Sequence, residues 1–408
     1  MVKRIRDFQI GRLIRRRNFH LCLIAVVLGL SQSEAGKAEV PLPEQQPGTV
    51  LQPDDGKAAP GQKQVAPLPE DNLPDDVQAC YDNNDPQLRV VACTHAIEGR
   101  QATGDQLAAV YYNRAIGYSL MGKTDFAIRD FTQAIKLRPD TPPAYINRGI
   151  ARMRRANPTS QDLTAAKQDF DAAIAKDKDN VDGHYLRAWV ESQQGKDADA
   201  IADLDNVLKN HPDHFDALLD RGGLLLRNGK FDPAIADFTA MAKLDAKSAA
   251  AFYNRGRAYF AKGDFTAAAT DFASAMNLRD GNPYAALRLN LARQFQAQAA
   301  KKDPQAGGDA KALEAAAGKL LDQQWPVQVI RYFQGKMDQA AIFTALDGSD
   351  LKQGQGFRCE FNYYLGQQAL LKGDKKAAAD FFKAALATKS STTIEYIDSS
   401  LALKQLGG

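Results

Sequence analysis

Gly195, Gly229 and Gly263 stand 34 residues apart, and Gly122 joins the series when five residues are inserted near Asn157-Pro158-Thr159-Ser160-Gln161. Self-similarity at a fixed period of this length means one supersecondary unit copied and stacked, which constrains the fold more firmly than local propensity. An insertion between two helices adds little closure entropy, so the longer unit fits the same scheme. Five residues beyond each glycine position lie Ala127, Ala166, Ala200, Ala234 and Ala268, followed four later by Phe131, Phe170, Leu204, Phe238 and Phe272. That spacing is helical. Small residues let two antiparallel helices approach, the large side chain fills the space between repeats, and the glycine turns the chain.

Tyr145 and Gly149, Leu218 and Gly222, and Phe252 and Gly256 complete a first-helix signature, and with it the chain resembles the tetratricopeptide repeat (TPR) family. Five units follow, at about 108–141, 142–180, 181–214, 215–248 and 249–282. Gly366, Gly373, Ala378 and Phe382 place a sixth. The resemblance implies an all-α TPR helix-turn-helix solenoid, a right-handed superhelix, with additional C-terminal helices. From about 323 to 407 the sequence is also similar to new lipoprotein I, a group of exported bacterial TPR scaffolds. Trp325, Tyr332-Phe333, Glu360-Phe361-Asn362-Tyr363-Tyr364-Leu365-Gly366, Gly373-Asp374 and Glu395-Tyr396 carry that similarity. It implies envelope enzymes, peptidoglycan hydrolases or a processing protease, as the partner class, together with homodimerisation.

A second ladder runs through the five units. Arg114, Arg148, Arg187, Arg221 and Arg255 lie on first helices, and Asp130, Asp169, Asp203, Asp237 and Asp271 on second helices. The sixth unit has Leu365 and Phe381 at the corresponding places. Joint presence in five copies and joint replacement in the sixth predict internal helix-helix ion pairs, partly buried.

The termini carry other information. Residues 1–35 hold seven basic side chains against Asp7 and Glu34, and a ten-residue apolar run, Leu21 to Leu30, leads to Ser33-Glu34-Ala35. This is the pattern of a cleaved export signal, and ten helical residues rise only about 15 Å, half of a bilayer core. The expectation is a periplasmic protein, with no membrane-spanning segment after cleavage. Arg16-Arg17 fits a twin-arginine route, but no cofactor motif calls for folded export, so the general secretory route is preferred. Without the signal the chain is close to neutral and has no dense basic tract, which excludes a nucleic-acid footprint. Eight of the eighteen prolines fall in 36–78, a flexible tether. In an oxidising compartment the spacing of Cys80 and Cys93 suits a disulfide between neighbouring short helices, leaving Cys359 over. The resulting division is a signal peptide at 1–35, a disordered Pro-rich linker at 36–78 and disulfide-linked N-terminal helices at 79–107. Five TPR units at 108–282 follow, then connecting helices at 283–325 and a C-terminal helical region at 326–408 with the sixth unit and a capping helix. An irregular stretch is expected from Gly348 to Gly356.

Chemistry has no candidate constellation: no zinc-protease His-Glu pair, nucleophile elbow or phosphate-binding glycine loop is present. His211-Pro212-Asp213-His214 reads as an inter-repeat turn, with no third ligand nearby in sequence for a metal. The chain is therefore expected to be neither an enzyme nor a cofactor binder, but a partner of other proteins or extended peptides. TPR stacks bind these on the concave face made by first helices. The family's groove positions fall here on Tyr112, Ile116, Ile146, Ile150, Met153, Tyr185, Trp189, Leu219, Leu226, Tyr253, Arg257 and Phe260. Aromatic and aliphatic side chains there imply an apolar or extended ligand. A scaffold in the bacterial envelope is the leading expectation, and a periplasmic assembly factor or chaperone the alternative.

Overall fold

The computed structural model describes residues 74–279, 282–321, 324–347 and 351–407. The signal peptide at 1–35, and the 36–78 linker up to residue 73, lie outside these. The described chain forms two compact units, 74–210 and 211–407, and no strand occurs among the described residues.

The first unit holds α1 (Asp75–Asp82), α2 (Pro86–Glu98), α3 (Gly104–Leu120), α4 (Thr124–Leu137), α5 (Pro142–Met153), α6 (Ser160–Lys176), α7 (Val181–Gln193) and α8 (Asp197–Asn210). The second begins with α9 (Phe215–Arg227), α10 (Phe231–Leu244), α11 (Ala249–Lys262), α12 (Phe265–Leu278) and α13 (Pro283–Ala299). It continues with α14 (Pro304–Gly307), α15 (Ala310–Ala317), α16 (Val327–Phe333), α17 (Gln339–Asp347), α18 (Leu351–Leu371), α19 (Lys375–Ala387) and α20 (Ile394–Gln405).

Four of the six repeats are closed by one close approach. A methyl built on Gly149 would sit 2.5 Å from the Phe170 ring, on Gly222 2.7 Å from Phe238, on Gly256 2.9 Å from Phe272, and on Gly366 2.4 Å from Phe382. Such distances are below van der Waals contact, so only glycine admits the ring at these places. Ala115 and Ala188 take the same register in the other two repeats, and opposite Ala188 the chain carries the shorter Leu204. The turns within repeats need a left-handed residue, and Gly122, Gly195, Gly229, Gly263 and Gly373 supply it with φ between 69° and 91°. The five-residue insertion lies in the turn from α5 to α6. There Thr159 and Asp162 form a capping box, Thr159 Oγ1 accepting the Asp162 N–H at 3.2 Å and Asp162 the Thr159 N–H at 2.9 Å, which restarts the helix in register.

Three boundaries differ from the sequence expectation. Helix α1 starts at Asp75, inside the stretch read as linker, because Val77 and Cys80 are fully buried against α2. Gly354 and Gly356 are helical, within α18 and not an irregular stretch; burial of Cys359, Phe361 and Tyr364 on the same helix outweighs their weak propensity. Helix α13, read as part of a connection, is buried nearly all round and packs on α12 as a further repeat's first helix would. Trp325 stacks on Phe357 at 4.6 Å and donates to Glu360 at 2.5 Å, anchoring the segment before α16.

The Gly222→Ala variant gains about 1 kcal/mol of helix propensity. It nonetheless loses about 1–3 kcal/mol net, read as a lower urea midpoint, because the Phe238 ring must move from a filled site. Adding Phe238→Leu restores much of the loss, and an unchanged midpoint in the single variant contradicts the close-approach account.

Candidate functional site

The five Arg–Asp pairs form, and each is bidentate. Arg114–Asp130, Arg148–Asp169, Arg187–Asp203 and Arg221–Asp237 close to 2.6 Å, and Arg255–Asp271 to 2.7 Å, with all five carboxylates buried. Spare guanidinium nitrogens reach back to the preceding second helix. Arg114 meets Thr94 at 3.3 Å, Arg148 meets Thr132 at 3.2 Å, Arg187 meets Asp171 at 2.7 Å and Arg255 meets Thr239 at 3.3 Å. Each of these four arginines therefore ties its own repeat and the one before. Three residues earlier, an aromatic ring lies beneath the guanidinium: Tyr111 at 5.4 Å, Tyr145 at 5.7 Å and Phe252 at 5.3 Å. The ladder is occupied internally and offers no basic stripe to a ligand.

In the third repeat that ring position is His184. Its Nδ1 lies 2.9 Å from Asp203 Oδ1 and its Nε2 lies 3.0 Å from the Lys178 carbonyl. The Asp203 hydrogen bond, opposed by burial, raises the His184 pKa above 6.5. Burial pushes Asp203 up, but hydrogen bonds from Arg187 and His184 outweigh it and hold the carboxylate below its usual range. His184 was visible in the sequence as the residue three before Arg187, and its place in the ladder gives its role. His214, by contrast, caps α9, its Nδ1 accepting the Ala217 N–H at 3.1 Å. Among the described residues no group of three His, Cys, Asp or Glu side chains is placed to hold a metal ion.

The groove positions divide sharply. In the first unit Tyr112, Ile116, Ile146 and Met153 are buried, and they are corrected here from ligand contacts to packing. Tyr112 meets Phe131 edge-on at 5.6 Å, and its hydroxyl accepts from Asn147 Nδ2 at 2.8 Å. Ile150, Tyr185 and Trp189 remain half-buried on the first-helix faces of α5 and α7, with Ile150 and Trp189 resting on the cluster around Ile146, Met153 and Phe170. In the second unit Leu219, Leu226, Tyr253 and Arg257 are buried and are likewise corrected, while Phe260 is half-buried. Tyr253 packs on Phe272 at 5.7 Å and is 1% exposed.

What buries the second unit's first-helix face is its own C-terminal helix. Asp398 of α20 receives Arg257 Nη2 at 2.6 Å and Arg288 Nη1 at 2.7 Å, and Glu395 receives Arg288 Nη2 at 2.8 Å. Arg288, 1% exposed, also lies over the Tyr363 ring at 4.3 Å. Burial first, and then repulsion from Glu395, push the neighbouring Glu360 well above the carboxylate range. Asp398 stays below it: burial opposes ionisation, but Arg257 and Arg288 prevail. Nothing in the sequence signals that these residues pair, because Arg257 and Asp398 are 141 positions apart. The Cys80 and Cys93 sulfurs are at disulfide distance, 2.03 Å, joining α1 to α2. Cys359 is buried and unbridged; burial pushes its thiol up to about 11, and it accepts from Thr393 Oγ1 at 3.3 Å.

Tetratricopeptide-repeat profiles match residues 108–141, 159–205, 185–249 and 219–286. Over these residues the stacked helix pairs are tetratricopeptide repeats, and the described residues form an all-α chain. Similar solved structures include YrrB, a TPR protein with an unusual peptide-binding site, which is 23% identical over 48% of this chain and 96% of its own, with a TM-score of 0.42. MamA is 19% identical over 42% and 91% respectively, with a TM-score of 0.39. The C-terminal part of a TPR repeat-containing protein from Cytophaga hutchinsonii is 16% identical over 71% and 98%, with a TM-score of 0.44.

A histidine pKa raised on folding means the native state holds the proton more tightly. The stabilisation is full below about 6.5 and is lost as pH rises through the folded value. The urea midpoint of the full chain therefore falls over that window, and His184→Gln removes this slope. An equal slope in both proteins contradicts the His184–Asp203 assignment.

Proposed function

We propose that this TPR protein is an exported, non-enzymatic scaffold of the bacterial cell envelope that holds partner proteins or extended peptides on the first-helix face of its first unit. The observation that carries the reading is the half-buried set Ile150, Tyr185 and Trp189 on α5 and α7. Large rings that keep one face available at little cost in side-chain entropy are the residues that dominate protein interfaces. Export is supported by the basic and apolar N-terminal sequence and by the Cys80–Cys93 pair, which belongs to an oxidising compartment. No helix among the described residues is long and apolar enough to cross a membrane. The similarity of residues 323–407 to the new lipoprotein I group supports peptidoglycan hydrolases or a processing protease as the partner class.

Affinity isolation of the mature protein from envelope extracts recovers such an enzyme. The Tyr185→Ala/Trp189→Ala variant, with an unchanged circular-dichroism melt, loses it by about thirtyfold or more, as removal of an interface hot spot predicts. The same partner bound equally by both proteins contradicts the reading. Recovery of many unrelated unfolded chains, with no fixed partner, replaces the scaffold by the assembly-factor function.

A further inference from the structure

Helix α20 packs on α18 and α19 with Ile394, Leu401 and Ala402 buried, and it meets α11 and α13 through polar contacts. Asp398 and Glu395, one helical turn apart, engage Arg257 and Arg288, and Gln405 Nε2 donates to the Ala261 carbonyl at 2.8 Å. Phe260, Phe265 and Phe295 pack on one another at 4.9–5.4 Å, and between them and Leu401 and Ala402 lies a half-open cleft of about 250 Å³, lined also by Lys262, Gln367 and Gln405. The polar side is also incompletely matched: Tyr253 Oη, Ser399 Oγ and one Glu395 oxygen have no hydrogen-bond partner.

On its α11–α13 side the helix is set in register by buried ion pairs and leaves a half-open cleft beside Ala402. Buried ion pairs contribute little net stability relative to apolar packing of the same volume, and unfilled apolar space costs contact energy. The chain has the apolar alternative available, since Leu365 and Phe381 replace the ion pair in the sixth repeat. The geometry points to a second recognition surface. The α11–α13 face of the second unit is a receptor for an acidic amphipathic helix, with carboxylates at positions i and i+3 and a large apolar side chain at i+7. Helix α20 is its built-in occupant, carrying Glu395, Asp398 and, at i+7, the undersized Ala402. A partner helix of the same charge pattern with Leu or Phe at i+7 fills the cleft and displaces α20. This inference shares the TPR reading but not the Trp189 surface, so failure of the interface test on the first unit leaves it standing.

The test uses the full chain with a protease site inserted in the turn 389–392 and cut after folding. Fluorescent peptides spanning 391–407 are then added in excess, and exchange is followed by anisotropy. The wild-type peptide exchanges into the cut protein. A peptide carrying Glu395→Gln and Asp398→Asn competes at least about thirtyfold less well, because both arginines keep buried charges without counter-ions. A peptide carrying Ala402→Leu competes about tenfold better, from the apolar surface it buries. Three results overturn the proposal: loss of the cooperative melt on cutting, which makes α20 an integral part of the fold; competition unaffected by the carboxylates; or no gain from Ala402→Leu.

Discussion

The stack depends on the approach of a first helix to the ring carried by its second helix. Gly149, Gly222, Gly256 and Gly366 each leave room for no more than a hydrogen atom before Phe170, Phe238, Phe272 and Phe382. Everything else in a repeat follows from that separation. The turn glycine must reverse the chain in a few residues, the Arg–Asp pair must span the remaining gap, and the next repeat can add only in the register that the ring surface allows. Alanine takes the glycine's place in two repeats, opposite the smaller Leu204 in one and opposite Phe131 in the other.

The ion ladder is a device of register more than of stability. A buried carboxylate tied to a planar guanidinium is strongly directional, and the spare nitrogen of Arg148, Arg187 or Arg255 finds its acceptor on the preceding second helix only in one alignment. The sixth repeat shows that the fold tolerates apolar residues there. Leu365 and Phe381 pack with the large C-terminal cluster, in which the neighbouring residues are already apolar. Charge is kept where repeat follows repeat and dropped where the chain ends its stack.

Much of this was legible in the sequence because it is periodic. The 34-residue spacing, the small-to-large pairs and the ladder are local relationships repeated several times, so each copy checks the others. The groove was not legible in the same way. Tyr112 and Tyr253 occupy the register of ligand-facing residues, but their rings pack on Phe131 and Phe272, a difference set by neighbours in the next helix and not by position in the repeat. Harder still was the return of α20, whose Asp398 meets Arg257 across 141 residues with no period to announce it. The one hint was Arg257 itself, a charge in a column otherwise filled by Ile116, Ile150, Trp189 and Gly223.

The two units thus carry the same repeat to different ends, one keeping aromatic side chains half open and the other seating its own terminal helix on the corresponding surface. Native-state hydrogen exchange on the full chain tests this most directly. If α20 is an occupant of the second unit, its amides exchange together at a lower opening free energy than those of α11, α13 and α18, which remain protected while it is released. Exchange of α20 only with the global unfolding of that unit contradicts the account, and makes the helix a fixed part of the fold.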